Sequence, residues 1–228
     1  MEEYLQNNLA KGEIISLTGE DSNPATRIFI GCSWGAVKES TLWGLFRYTK
    51  DVDLDLSCVM FNRNGNIIDH IYSPLYIESI LRQFGLPKGK TMSSDKAIMH
   101  TGDDINGDRS DEDEEVDNEI LLFNLEEINP DVEQIFIFLN NCGKEDFAEI
   151  PYVRIRLVEG TPENRGEEIA RFSINTEAAN SGKTAVILGK IFRDNETWNF
   201  QAIGDATPDP FLGHTIHRIA SGYASKKL

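Results

Sequence analysis

Apolar residues fall in short runs rich in Val, Ile, Leu and Phe, and Gly, Pro, Asn and Asp separate one run from the next. That pattern predicts strands over 13–17, 26–31, 52–61, 66–71, 119–125, 132–140, 152–158, 167–174, 184–193 and 197–203. Turn chemistry supports two hairpins, at Asn62-Arg63-Asn64-Gly65 and at Asp194-Asn195-Glu196. Two stretches have helical spacing instead. Ser73-Pro74 reads as an N-cap and first-turn proline before Ile77, Ile80, Leu81 and Phe84, with Gly85 as the stop, and 211–227 can form a C-terminal helix. Between them 86–96 reads as an exposed loop. The sum is an all-β chain: a two-sheet antiparallel β-sandwich with a short inserted helix and a C-terminal helix. There is no internal repeat and no long linker, so 1–228 is expected to be one domain.

One strand departs from a plain amphipathic pattern. In Asp51-Val52-Asp53-Leu54-Asp55-Leu56-Ser57 a period of two places Asp53, Asp55 and Ser57 on one face and Val52, Leu54 and Leu56 on the other. The apolar face is expected in the core and the other face in water. Two carboxylates about 6.6–6.8 Å apart on one strand face repel unless positive charge lies beside them, and no Lys or Arg alternates with them. A plain wet face and a cation site are both consistent with this spacing.

Charge adds a second feature. The chain has 22 basic and 38 acidic residues, a formal net charge of −16. This balance argues against nucleic acid and against an anionic membrane surface, both of which select clustered Lys and Arg. The acidity is local: residues 103–119 carry ten carboxylates against Arg109 alone. A solvated acidic loop would explain the run, but Gly102 and Gly107 punctuate it and the apolar Ile120-Leu121-Leu122-Phe123 follows directly. Carboxylate, amide and carbonyl oxygens on a Gly-hinged loop suit a hard cation, and so many of them suit calcium better than magnesium. The EF-hand spacing is excluded, because placing Gly107 at the sixth position puts Gly102 first and Asp113 last.

The remaining chemistry is sparse. Cys32, Cys58 and Cys142 form no CxxC pair and read as reduced thiols of a cytoplasmic protein, and the opening Met1-Glu2-Glu3-Tyr4 has no secretory character. His214 and His217, three apart, read as surface or capping residues, and His100 as a hydrogen bonder behind the acidic loop. No GxSxG, GxxxxGK or HExxH motif occurs. No enzyme is expected; the weaker alternatives are a metal-independent acidic protein-interaction module and a magnesium-dependent phosphoryl- or nucleotidyl-transfer enzyme built on Asp53 and Asp55.

These motifs, in order, resemble those of the TerD family, the tellurium-resistance and general stress proteins of bacteria. Lys11-Gly12-Glu13-Ile14-Ile15-Ser16-Leu17 resembles its opening strand, and Asp53-Leu54-Asp55-Leu56-Ser57 its DxDxS motif. His100-Thr101-Gly102-Asp103-Asp104 with Asn106-Gly107-Asp108 and Asp113-Glu114 resembles its acidic loop, and Arg171-Phe172 and the segment from Arg193 through Trp198 and Phe200 to Gly204 resemble later motifs. The resemblance implies a calcium-binding β-sandwich without catalytic chemistry that acts in a cytoplasmic stress response, with calcium ions and proteins of a stress-response complex as partners. It implies calcium ligands at Asp53, Asp55, Asp103, Asp104, Asn106, Gly107 through its carbonyl, Asp108, Asp113 and Glu114. Where the family pattern has Gly, Asp, Gly and Asp, this chain has Arg109, Ser110, Asp111 and Glu112. The stretch 71–97 is longer than the family usually carries, and is the place for a partner particular to this chain.

Overall fold

The computed structural model describes residues 8–18, 23–41, 46–101, 116–143, 146–174, 181–195 and 197–224. The strands are β1 (Ile14–Ser16), β2 (Arg27–Trp34), β3 (Val37–Thr41), β4 (Phe46–Lys50), β5 (Leu54–Phe61), β6 (Ile67–Ile71), β7 (Ile98–His100), β8 (Glu119–Asn124), β9 (Gln134–Asn141), β10 (Val153–Thr161), β11 (Asn164–Ile174), β12 (Ala185–Asp194) and β13 (Thr197–Thr207). One antiparallel sheet has the order β1-β13-β12-β9-β5-β6 and the other β11-β10-β2-β8-β7, while β3 and β4 pair only with each other. All ten expected strands are present. The two additions to them are short or polar: β7 has three residues, and the β3–β4 hairpin carries little apolar alternation.

The hairpins form for the expected reasons. Asn62 Oδ1 accepts from the amides of Asn64 and Asn66, and Gly65 takes φ 76°, a left-handed value that an L side chain resists. Asn195 likewise sits at φ 56° between β12 and β13.

Two apolar layers hold the fold. The larger lies between the sheets and includes Trp34, Leu54, Leu56, Cys58, Phe123, Ile137 and Phe200. The second covers the outer face of the six-stranded sheet, where Val59, Phe61, Phe136, Phe138 and Ile187 meet Leu81, Leu212, Ile216 and Ile219. This corrects the expected wet face of β5. Every residue of that strand is buried, because helices cover the side that carries Asp55, Ser57, Val59 and Phe61.

The covering elements come from the inserted stretch and the C-terminus. Helix α1 (Glu78–Leu81) continues as a 3-10 turn, Arg82–Phe84, and stops at Gly85 with φ 69°. It starts later than the Ser73-Pro74 cap signal predicts, because the Ser73 hydroxyl accepts from the Leu75 amide in a local turn and Ile77 stands exposed at the N-cap. Helix α2 (Leu212–Ile219) lies flat on the sheet with Leu212, Gly213, Thr215, Ile216 and Ile219 inward, and ends in a wider turn, Ala220–Ala224. Gly213 lies under the Phe84 ring, which occupies the place a Cβ would take, so the insert and α2 touch directly.

Polar contacts fasten both elements. The Arg218 guanidinium donates twice to the Asp209 carboxylate, at 2.7 Å and 2.7 Å, and the Thr207 hydroxyl donates to the same group at 2.7 Å. These contacts outweigh burial and hold the Asp209 carboxyl below its ordinary pKa. Strand β6 holds the insert: His70 stacks on Tyr72 and its Nε2 lies 3.0 Å from the Lys88 carbonyl, while Lys90 pairs with Asp69 at 2.6 Å. Tyr72 donates to the Pro87 carbonyl, and the Ser94 amide to Asp69. Burial, aided by the Lys90 ammonium, holds the His70 imidazole below its usual pKa, against the opposing pull of the Lys88 carbonyl and Asp69.

Two predictions test these clasps. Arg218→Ala removes both guanidinium hydrogen bonds from the nearly buried Asp209 carboxylate; the expected loss is about 2 kcal/mol, read as a Tm lower by roughly 4–8 °C. An unchanged Tm would show that α2 is held by its apolar face alone. The unfolded His70 binds a proton near 6.5, its ordinary value, and the folded one only at lower pH, so the unfolded state is the better proton binder in that window. Stability from neutral His70 is therefore complete above pH 6.5 and declines as pH falls through that value toward the folded pKa. Thermal unfolding between pH 7.5 and 5.5 should fall more steeply for the wild type than for His70→Gln; equal slopes would refute the assignment.

Candidate functional site

Strand β5 enters the six-stranded sheet between β9 and β6, and its first residues form one end of the sandwich. Trp34 Nε1 donates to the Val52 carbonyl at 2.9 Å and ties the approach to the core. Asp53 is half-buried, Asp55 is 7% exposed and Ser57 is fully buried, so this polar face runs from the surface inward. Across the ladder Asp55 stands opposite Asn140, and Leu54 opposite Asn141.

The chain beyond β9 turns back over Asp55. The Cys142 amide donates to the Asp53 carbonyl at 2.9 Å, and the Gly143 amide to Asn141 Oδ1 at 2.6 Å. Cys142 is exposed as a residue, but its thiol points inward and donates to Asp55 Oδ2 at 3.0 Å. Tyr76, from the insert, places its hydroxyl 3.6 Å from that sulfur. Burial, reinforced by the negative charge of Asp55, raises the pKa of both the Tyr76 hydroxyl and the Cys142 thiol. At neutral pH both are uncharged donors facing a carboxylate, so Cys142 is a poor nucleophile here.

A buried glutamate links β5, at the residue after Asp55, to the other sheet. Glu119, the first residue of β8, accepts the Leu56 amide at 2.7 Å and lies 3.2 Å from His100 Nε2 on β7. His100 is thus a hydrogen-bonding partner of the buried Glu119. The Thr101 amide then donates to the Ile120 carbonyl, and the Asn118 amide to the Cys32 carbonyl, so the chain leaves and re-enters the fold beside this pair.

Two clefts meet at Asp55. One, of about 280 Å3, is lined by Asp55, Leu56, Tyr72, Ser73, Pro74, Leu75, Lys90, Thr91 and His100. The other, of about 380 Å3, is lined by the polar Asp53, Asp55, Asn140, Asn141 and Cys142 and by Leu75, Tyr76, Ile77, Phe211 and Leu212. Asn140 Nδ2 donates to Thr215 Oγ1 at 2.9 Å, whereas Asn140 Oδ1 and Ser57 Oγ are buried without a partner among the described residues. Leaving a buried polar atom unpaired costs about 1–3 kcal/mol, so both mark places where the fold is under tension.

Of the residues singled out from sequence, the structure brings Asp53 and Asp55 together on one face beside the clefts. Asp103, Asp104, Asn106, Gly107, Asp108, Asp113 and Glu114 lie outside the described residues. Among the described residues no group of three or more His, Cys, Asp and Glu side chains is arranged to hold a metal ion. His214 and His217 occupy exposed positions of α2, with His214 edge-on to Phe84. Nothing in the sequence marks Glu119, Asn140 or Tyr76 as neighbours of Asp55, since strand register brings Asn140, the packing of the two sheets Glu119 and the path of the insert Tyr76.

The fold also gathers arginines that are scattered in sequence. Arg156 and Arg171 are register partners on β10 and β11, and Arg154 lies close by. Like charges opposed across strands destabilise, and here each has a carboxylate: Arg156 forks onto Asp117 and Arg171 onto Glu168. Asp117 packs directly over Gly31, where a side chain would displace it.

Comparison with known proteins fits this picture. Tellurium resistance protein TerZ of Serratia marcescens is 28% identical over 219 residues, covering 96% of this chain and 97% of that protein. Stress response protein SCP2 of Bacillus subtilis (strain 168) is 26% identical over 220 residues, covering 92% and 98%. In three dimensions, a homologue of telluride resistance protein (TerD) from Streptomyces coelicolor A3(2) superposes with a TM-score of 0.56 at 14% identity, covering 89% of this chain and 99% of that one. At that identity the likeness speaks for the fold alone. The family model for the TerD domain matches residues 5–217, and the chain belongs to the TerD family of tellurium-resistance and stress-response proteins.

Proposed function

We propose that this chain is a calcium-binding stress-response protein, in which calcium is held between the Asp53/Asp55 face of β5 and the acidic segment 103–114. The observation that carries the reading is that Asp55 and His100 line the same cleft, and the acidic run begins only three residues after His100. A carboxylate 7% exposed needs compensating charge or hydrogen bonds, and a second carboxylate on the same strand face adds to that need. Oxygen donors in this density fit a hard cation. Asp53 and Asp55 would supply two of them, and Asp103, Asp104, Asn106, the Gly107 carbonyl, Asp108, Asp113 and Glu114 are the candidates for the rest. Glu119 would orient the strand through the Leu56 amide, with His100 fixing Glu119.

In this reading the ion stabilises the fold and the chain performs no catalytic step. The neutral Cys142 thiol and Tyr76 hydroxyl, both aimed at Asp55, hold the carboxylate without competing for its charge.

Chelator-stripped protein titrated with calcium should gain about 2.7 kcal/mol at a hundredfold excess over Kd, seen as a Tm rise of roughly 5–10 °C, with little response to magnesium. Asp55→Asn and Asp103→Asn should each weaken calcium binding at least tenfold in calorimetry. Wild-type affinity in both variants would overturn the ligand assignment. No response to either ion, with a partner contact that salt weakens and chelator does not, would instead favour an acidic docking module.

A further inference from the structure

The 380 Å3 cleft has a composition that a metal ion does not account for. Its lining combines Asp53, Asp55 and Asn140 with the apolar Leu75, Ile77 and Phe211. Leu75 and Ile77 are 79% and 60% exposed, unusual for large aliphatic side chains and a lip on which an apolar group can rest. At the floor Asn140 is only 2% exposed, its Nδ2 is used by Thr215, and its Oδ1 has no partner among the described residues. Ser57, one step further in on the face of Asp55, has a hydroxyl in the same condition. Both features lie on the side of Asp55 bounded by α2 and the insert, whereas His100 and Glu119 bound the other.

Acceptors outnumber donors at the floor, where the Cys142 thiol donates to Asp55 Oδ2. Two carboxylates and an amide carbonyl call for a head group that donates several hydrogen bonds and carries positive charge, and they repel a carboxylate or phosphate. The lip calls for an aliphatic body. A cleft of this size with a few convergent polar groups and an apolar wall is the usual form of a small-molecule site. We propose that it binds a small primary aliphatic amine as its ammonium ion, with the head on Asp53, Asp55 and Asn140 Oδ1 and the chain along Leu75, Ile77 and Phe211. An ammonium supplies three donors from one atom, which matches three acceptors around one end of the cleft. This reading goes beyond calcium binding and shares Asp53 and Asp55 with the proposed ion site, so saturating calcium should weaken the amine, whereas Asn140 and the lip belong to the amine alone.

The test is calorimetric titration of the full chain with hexylamine at pH 7.5, with calcium saturating and with calcium chelated, against 1-hexanol and hexanoate as chain-matched controls. Hexylamine should bind at least tenfold more tightly than either control in at least one calcium condition. The exposed double substitution Leu75→Ser with Ile77→Ser should weaken it at least fivefold without changing Tm, and Asn140→Leu should weaken it about tenfold. Hexanol binding as well as the amine would overturn the proposal by showing a groove with no head-group site. Amine affinity untouched by the lip substitution would overturn it by showing an acidic pair that attracts any cation. Because calcium affinity is read separately from Tm, failure of the calcium assignment leaves this result interpretable, and the converse holds.

Discussion

Asp55 is a carboxylate embedded in a strand whose every residue is buried. Burying such a charge is tolerated only where donors, cations or both surround it, and much of this end of the molecule meets that demand. The chain turns after β9 so that Cys142 faces it, the insert supplies Tyr76, and Glu119 crosses from the second sheet to cap the next amide. Helix α2 and the insert then cover the strand's outer face. An all-apolar β5 would fold the same sandwich with no reason to gather these groups.

The sandwich was legible because each predicted strand needs only local information: a short apolar run and a turn residue at each end. The Asn62–Gly65 turn and the left-handed Asn195 behave as their chemistry predicts. The parts that escaped are those set by distant partners. Nothing in Asp53-Leu54-Asp55-Leu56-Ser57 says that a C-terminal helix covers its polar face, so alternation suggested water where there is a second apolar layer. The β3–β4 hairpin escaped because its residues are mostly polar, and the Ser73-Pro74 signal formed a local turn before helical geometry began.

The site divides in the same way. Asp53 and Asp55 were visible from their period of two, while Glu119, Asn140, Cys142 and Tyr76 required the register of β5 with β9 and the path of the insert. The arginines make the point in reverse. No basic cluster exists in the sequence, yet antiparallel register sets Arg156 against Arg171, and Asp117 arrives from the approach to β8 to neutralise one while Glu168, three residues along β11, neutralises the other. Composition sets the total charge of a surface, whereas topology decides where its signs meet.

The orientation of Cys142 bears on how the protein endures oxidising conditions. Peroxides and disulfides react with thiolate rather than thiol, and this sulfur is kept protonated by burial and by the carboxylate to which it donates. Cys32 and Cys58 are enclosed in the core. A chain of a stress-response family thus carries three free cysteines, two enclosed in the core and one whose thiol is turned onto a carboxylate that disfavours its reactive form.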